Sequence, residues 1–141
     1  MKSIIFTIVL SFALFFTNAQ TTKSVSEGIT ITVNVPSNST MGKMSISLFN
    51  ESNFLQTPLV NLNSKIENGK ATVSFKNVQP GKYAIVCYHD KNDDGEMNFE
   101  ASGMPLEDYG SSNNVMSFGP PQWSDSKFEV TNEAVNIEII L

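Results

Sequence analysis

Between Asp90 and Asp108 the chain reads DKNDDGEMNFEASGMPLED, and seven of its fourteen acidic residues fall in that stretch. Oxygen-bearing side chains alternate through its first half. Asp90, Asn92 and Asp94 lie two apart, Gly95 follows, and Asn98 stands three further on. This is the spacing of a loop for a hard cation. Calcium takes about six to eight oxygens at roughly 2.3–2.6 Å, and a loop of about twelve residues supplies them from alternate places, with a glycine at the sixth for the sharp turn. Here Asp90, Asn92 and Asp94 take the first, third and fifth places and Gly95 the sixth. Glu96 offers its backbone carbonyl at the seventh, and Asn98 stands at the ninth. The twelfth place, which calls for a bidentate Glu, holds Ala101, and Glu100 comes one residue early. Either Glu100 reaches in by a different backbone path, or the last ligand comes from Glu107, Asp108 or a more distant residue. The candidate metal set is therefore Asp90, Asn92, Asp94, Glu96, Asn98 and Glu100, with calcium as the ion. The high ligand count disfavours magnesium, and the all-oxygen donors disfavour zinc.

A second reading of the same residues is a solvated turn, because Asn, Asp and Gly favour turns for reasons of their own. Against it stands the mutual repulsion of several carboxylates crowded at one place, unless a cation or solvent screens them. Cys87 and His89, two apart on one strand face, raise a thiol-nucleophile reading. An activated cysteine needs a base in contact and a polar setting. Cys87 instead lies inside an apolar run and reads as a small core residue, with His89 closing the strand end. The Tyr109 and Trp123 region reads as cover for the central strand, with a ligand groove as the alternative.

The elements that must position these residues alternate with period two. In GITITVNVP, Ile29, Ile31, Val33 and Val35 share one face; in KMSISLFN, Met44, Ile46 and Leu48 do. A weaker strand, LVNLNSKI, leads through Asn68-Gly69, a hairpin signal, into ATVSFKNV with Ala71, Val73 and Phe75 on one face. KYAIVCYHD differs, since Tyr83, Ile85 and Cys87 point one way and Ala84, Val86 and Tyr88 the other. Both faces are apolar, as in a strand covered on both sides. The cover is expected from residues 91 to about 125, a segment without periodicity that still carries Met97, Phe99, Met104, Leu106, Tyr109, Met116, Phe118 and Trp123. Long segments of this kind in compact domains are usually functional or disordered. SKFEVTN and AVNIEIIL are expected to form a last hairpin, with Val135, Ile137 and Ile139 inward. About seven strands and no helical period predict an all-β protein. The expectation is one β-sandwich, immunoglobulin-like or transthyretin-like, with a long ordered loop excursion over 91–125.

The first residues read as an export signal. Lys2 precedes the apolar run Ile4 to Phe16, which is short for a membrane span, and Ala19 offers a small residue at the cut. The expected organisation is a cleaved signal peptide over 1–19, a short linker over 20–27 and the sandwich domain over 28–141. The expected location is the periplasm or the exterior, with no transmembrane segment in the remaining chain. Losing Lys2 leaves eight lysines against fourteen acids, a formal charge of −6, and the chain contains no arginine. Phosphate neutralisation needs clustered Lys and Arg, so nucleic acid is excluded as a partner and an anionic membrane surface is a poor one. A single cysteine, Cys87, rules out an internal disulfide.

The stretch from Pro80 to Val130 resembles the DUF2141 family of exported bacterial proteins. The likeness is carried by Pro80, Gly81 and Tyr83 running into His89, Asp90, Asn92, Asp94 and Gly95, then by Gly103 and Pro105. Tyr109, Gly110, Ser112, Asn113 and Asn114 follow, and then Phe118, Gly119, Pro120, Pro121, Trp123 and Asp125. Ser111 stands where the family pattern has an aromatic. The resemblance implies a signal peptide and a β-sandwich, and it implies no particular activity. The expected function is a calcium-stabilised binding or structural module at the cell envelope, facing a protein or glycan partner. The alternative is a metal-dependent hydrolase acting on a glycan or ester at the acidic loop.

Overall fold

The computed structural model describes residues 28–141. The signal peptide expected over 1–19 and the linker over 20–27 lie outside the described residues. Eight strands form: β1 (Ile29–Pro36), β2 (Lys43–Phe49), β3 (Val60–Lys65), β4 (Lys70–Val78), β5 (Gly81–Asp90), β6 (Tyr109–Ser111), β7 (Phe128–Val130) and β8 (Val135–Glu138). One short helix, α1 (Trp123–Ser126), and two 3₁₀ turns complete the elements. The protein is an all-β sandwich. One sheet has the order β4-β1-β8; the other has β3-β2-β5-β6, with β7 also on β5. β1 runs antiparallel to β4 and parallel to β8. In the immunoglobulin arrangement the first two strands share a sheet. Here they lie in opposite sheets, so the strand order is not the immunoglobulin one.

The alternation read from the sequence becomes the core. Ile31, Val33 and Val35 of β1, Met44 and Ile46 of β2, and Ala71 and Phe75 of β4 are all buried between the sheets with Ile85 and Cys87 of β5. Each inward side chain removes apolar surface from water, worth roughly 1.5–3 kcal/mol for a fully buried large one. β5 is a central strand of its sheet. β2 lies on one side of it, and β7 and β6 share the other, opposite Gly81–Tyr83 and Val86–Tyr88 respectively.

Two expected hairpins differ from the observed connections. Asn68 and Gly69 do form a tight turn, both at positive φ, but only Glu67 and Lys70 bridge across it. Beyond them β3 joins β2 and β4 joins β1, so the turn is an arch between the two sheets. The last two strands likewise part, β7 to β5 and β8 to β1. Local turn signals bring chain ends together, but which sheet a strand joins depends on which faces need burying. Ile139 is buried in the core while Val135 and Ile137 are only half-buried. No helix among the described residues is long and apolar enough to cross a membrane.

Candidate functional site

The acidic loop leaves the end of β5, and β5 fixes its starting point. In the β2–β5 ladder Lys43 stands directly across from Asp90. The Lys43 ammonium lies 3.3 Å from Asp90 Oδ2 and also contacts the Asp93 carboxylate. Gly42, at φ +71°, packs against the Asp90 carbonyl so closely that a Cβ there would collide with it, which seats the β1–β2 turn against the loop entry. His89, buried, donates from Nε2 to the Met41 carbonyl at 2.8 Å. His89 therefore closes the strand end and is not paired with Cys87. The Cys87 thiol is pushed up to about 12 by burial, far from the thiolate a nucleophile needs.

Within the loop the side chains hold the backbone. Asp90 is fully buried and accepts from the Asp94 N–H at 3.1 Å and from the Gly95 N–H at 2.9 Å. Those amides can converge because Gly95 sits at φ +83°, a conformation glycine adopts without steric cost. Asp94 accepts from the Glu96 N–H at 2.9 Å, and its other oxygen takes the side-chain amides of Asn92 (2.8 Å) and Asn98 (3.0 Å). These donors hold the Asp94 carboxyl below its ordinary value, the Glu96 N–H first and then Asn98 and Asn92. The Lys43 ammonium is raised, chiefly by its hydrogen bond to Asp93.

Asp90, Asn92, Asp94 and Asn98 are thus brought into one hydrogen-bonded cluster, with Glu96 contributing its backbone. Glu100 lies elsewhere: its carboxylate accepts from Ser102 at 3.1 Å, in a hairpin closed by the Phe99–Pro105 bridge. Glu107 occupies the closing position instead. It is buried, and it accepts from the Lys91 N–H at 2.9 Å and the Asn98 N–H at 3.3 Å, tying both ends of the loop together. Among the described residues, no three His, Cys, Asp or Glu side chains converge closely enough to hold a metal by themselves. The side-chain donors of Asp90, Asn92, Asp94 and Asn98 would be all oxygen once the Asn amides turn over. Such a set suits a hard cation.

Three residues beyond the loop carry the rest of the excursion. Ser112 is buried where β7 gives way to β6 along the edge of β5. Its hydroxyl accepts from the Ile85 N–H at 3.0 Å and donates to the Ser126 carbonyl. Asn113 donates to the carbonyls of Asp125 and Lys127. The Asn114 amide pairs with the Glu138 carbonyl and the Ile140 N–H, both at 2.9 Å, as a neighbouring strand would. The two asparagines therefore bind the far end of the excursion and the C-terminal strand.

The outer face of β5 is covered only in part. Val86 and Tyr88 floor a groove of about 470 Å³ whose walls include Met97, Phe99, Met104 and Pro121. Tyr88 donates to the Gly95 carbonyl and Tyr109 to the Gly119 carbonyl. Trp123 lies outside this lining, packed edge-on to Phe54 at 5.7 Å. The sequence pointed to Tyr109 and Trp123 as cover for this face, whereas Tyr109 lines an open groove and Trp123 does not.

The sequence profile of a family described as "Uncharacterized protein conserved in bacteria (DUF2141)" matches residues 31–138. The chain belongs to that family. No curated protein and no solved structure matches it.

Proposed function

We propose that this DUF2141 protein is an exported binding module whose acidic loop takes up calcium as a structural ion. The observation that supports it most is one hydrogen-bonded cluster in which Asn92 and Asn98 meet on the Asp94 carboxylate and Asp90 holds the Asp94 N–H, closed by Glu107. Side-chain oxygens of those residues and the Glu96 carbonyl would hold the ion, with Glu107 in the place that Glu100 leaves open. The two asparagine amides would exchange nitrogen for oxygen, a rotation that costs no backbone movement. Calcium would supply the positive charge that Lys43 supplies only in part. The leader-like segment over 1–19 supports export, and the groove beside the loop supports binding. The hydrolase alternative has no observation of its own to favour it.

Thermal unfolding with and without calcium tests the ion. At free calcium about a hundred times the dissociation constant, binding adds ~2.7 kcal/mol, or roughly 10 °C in melting temperature for a domain of this size. Asp94→Ala should abolish the rise. Identical melting in calcium and in chelator would remove the ion from the account and leave a self-satisfied turn.

A further inference from the structure

Asn68-Gly69 is the one Asn-Gly pair in the chain, and the fold uses it as an arch between the sheets. Its φ angles, +52° and +79°, are both positive, as in a type I′ turn. Both residues are exposed, and a Cβ on Gly69 would meet nothing within 4 Å. The groups on either side are bound. Glu67 and Lys70 exchange backbone hydrogen bonds at 2.8 and 3.2 Å, and the Gly69 carbonyl accepts from the Ser37 N–H at 3.0 Å. The peptide between Asn68 and Gly69 differs. Among the described residues, neither its carbonyl nor its N–H has a protein partner, and the Asn68 side-chain amide has none either.

That peptide can therefore turn over in place without breaking a bond of the arch. The rotation converts type I′ into type II′: Asn68 keeps its positive φ while its ψ moves to about −120°, and Gly69 passes to negative φ, which a glycine does at little cost. At that ψ the Gly69 nitrogen eclipses the Asn68 Cβ, within reach of Cγ. Two similar pairs are locked. In Asp94-Gly95 the glycine N–H is held by Asp90 Oδ2 at 2.9 Å, and the Asp94 oxygens accept from Glu96, Asn92 and Asn98. In Asn38-Ser39 the serine N–H is held by Ser37 Oγ at 3.2 Å.

We propose that Asn68 is a self-modification site, with water as its co-reactant. The Gly69 nitrogen attacks Asn68 Cγ. The new C–N bond replaces the bond to the side-chain nitrogen, which leaves as ammonia with the Gly69 proton. The cyclic imide then takes up water at one of its two carbonyls. Opening at Cγ gives aspartate; opening at the backbone carbonyl gives isoaspartate, in which the chain continues through Cγ. Nothing is oxidised or reduced. Either product adds a negative charge beside Glu67 and Lys70. The isoaspartate also adds one carbon to the backbone where it crosses from one sheet to the other. Neither step involves the acidic loop, so the site stands apart from the calcium reading.

Peptide mapping by mass spectrometry tests it, on the purified protein held in mildly alkaline buffer, folded and in urea. In the folded protein Asn68 should convert to acid several-fold faster than any other asparagine, and within a few-fold of its rate in urea. The rate should rise with pH, because the attacking nitrogen must lose its proton. Asp94 should form isoaspartate in urea and not in the folded protein. The isoaspartate form, separated by ion exchange, should melt below the Asn68→Asp variant, which carries the same charge on an unaltered backbone. Conversion at Asn68 that requires urea would overturn the proposal, since the turn would then protect the residue. Even conversion across the asparagines would overturn it as well, and equal melting of the isoaspartate form and Asn68→Asp would overturn its consequence for the arch.

Discussion

In β4, Ala71, Val73 and Phe75 are buried and the residues between them are exposed. Along the excursion from Lys91 to Pro121, the only two buried residues are Glu107 and Ser112, and both are polar. The first region is held because water is expelled from apolar faces. The second is held because buried polar side chains satisfy backbone groups that would otherwise lack partners. A region fixed by burial tolerates exchange of one apolar residue for another of similar volume. A region fixed by single hydroxyls and carboxylates depends on particular atoms in particular places, and an unmade buried bond costs its full desolvation.

The contrast can be broken at three levels. Phe75→Ala, which empties a fully enclosed site between the sheets, should cost about 3–5 kcal/mol, read from denaturant unfolding of the whole domain. Ser112→Ala removes the partner of the buried Ile85 N–H and should cost about 1–3 kcal/mol. Its signature is local: amide exchange at Ile85 and through the Ser112–Ser126 segment should accelerate more than exchange in β1. A uniform acceleration would mean that the excursion and the sandwich open as one unit.

The smallest effect belongs to pH. The Asp94 carboxyl lies below its ordinary 3.8 because the folded loop donates to it. Its contribution is present above that value and is lost as pH falls through the lower folded value. Lys43 is raised above 10.5, so its contribution is present below that value and is lost as pH rises through the higher one. Asp94 is exposed and Lys43 is half-buried beside it, and solvent screening keeps the changes modest. The melting-temperature difference between the protein and Asp94→Asn should stay level near neutrality and shrink in acid below the ordinary carboxyl range. A difference that does not change with acid would show that the Asp94 bonds add nothing to the loop.

Much of the sandwich was legible because burial on one face imposes period two on the sequence. Ile31, Val33, Met44, Ile46 and Phe75 all stand where alternation puts them. β6 was not legible, since three residues are too few to show a period. The acidic loop was legible as a cluster of types, and Gly95 at the sixth place marked its turn. Glu107 was visible only as one of several candidates for closing the loop. Lys43 gave no signal at all, because it meets Asp90 only through the pairing of β2 with β5.

The sequence alone determined which faces are apolar, where the chain turns sharply, and that a run of oxygen donors follows the central strand. Those are local properties, set by residue type and by spacings of a few positions. Only the tertiary structure decided that β3 and β4 part into opposite sheets, that Glu107 rather than Glu100 ties the loop, and that Ser112 fills the gap along β5. Each of these depends on contacts between residues far apart in the chain, and no local spacing encodes such a contact until the sheets have chosen their neighbours.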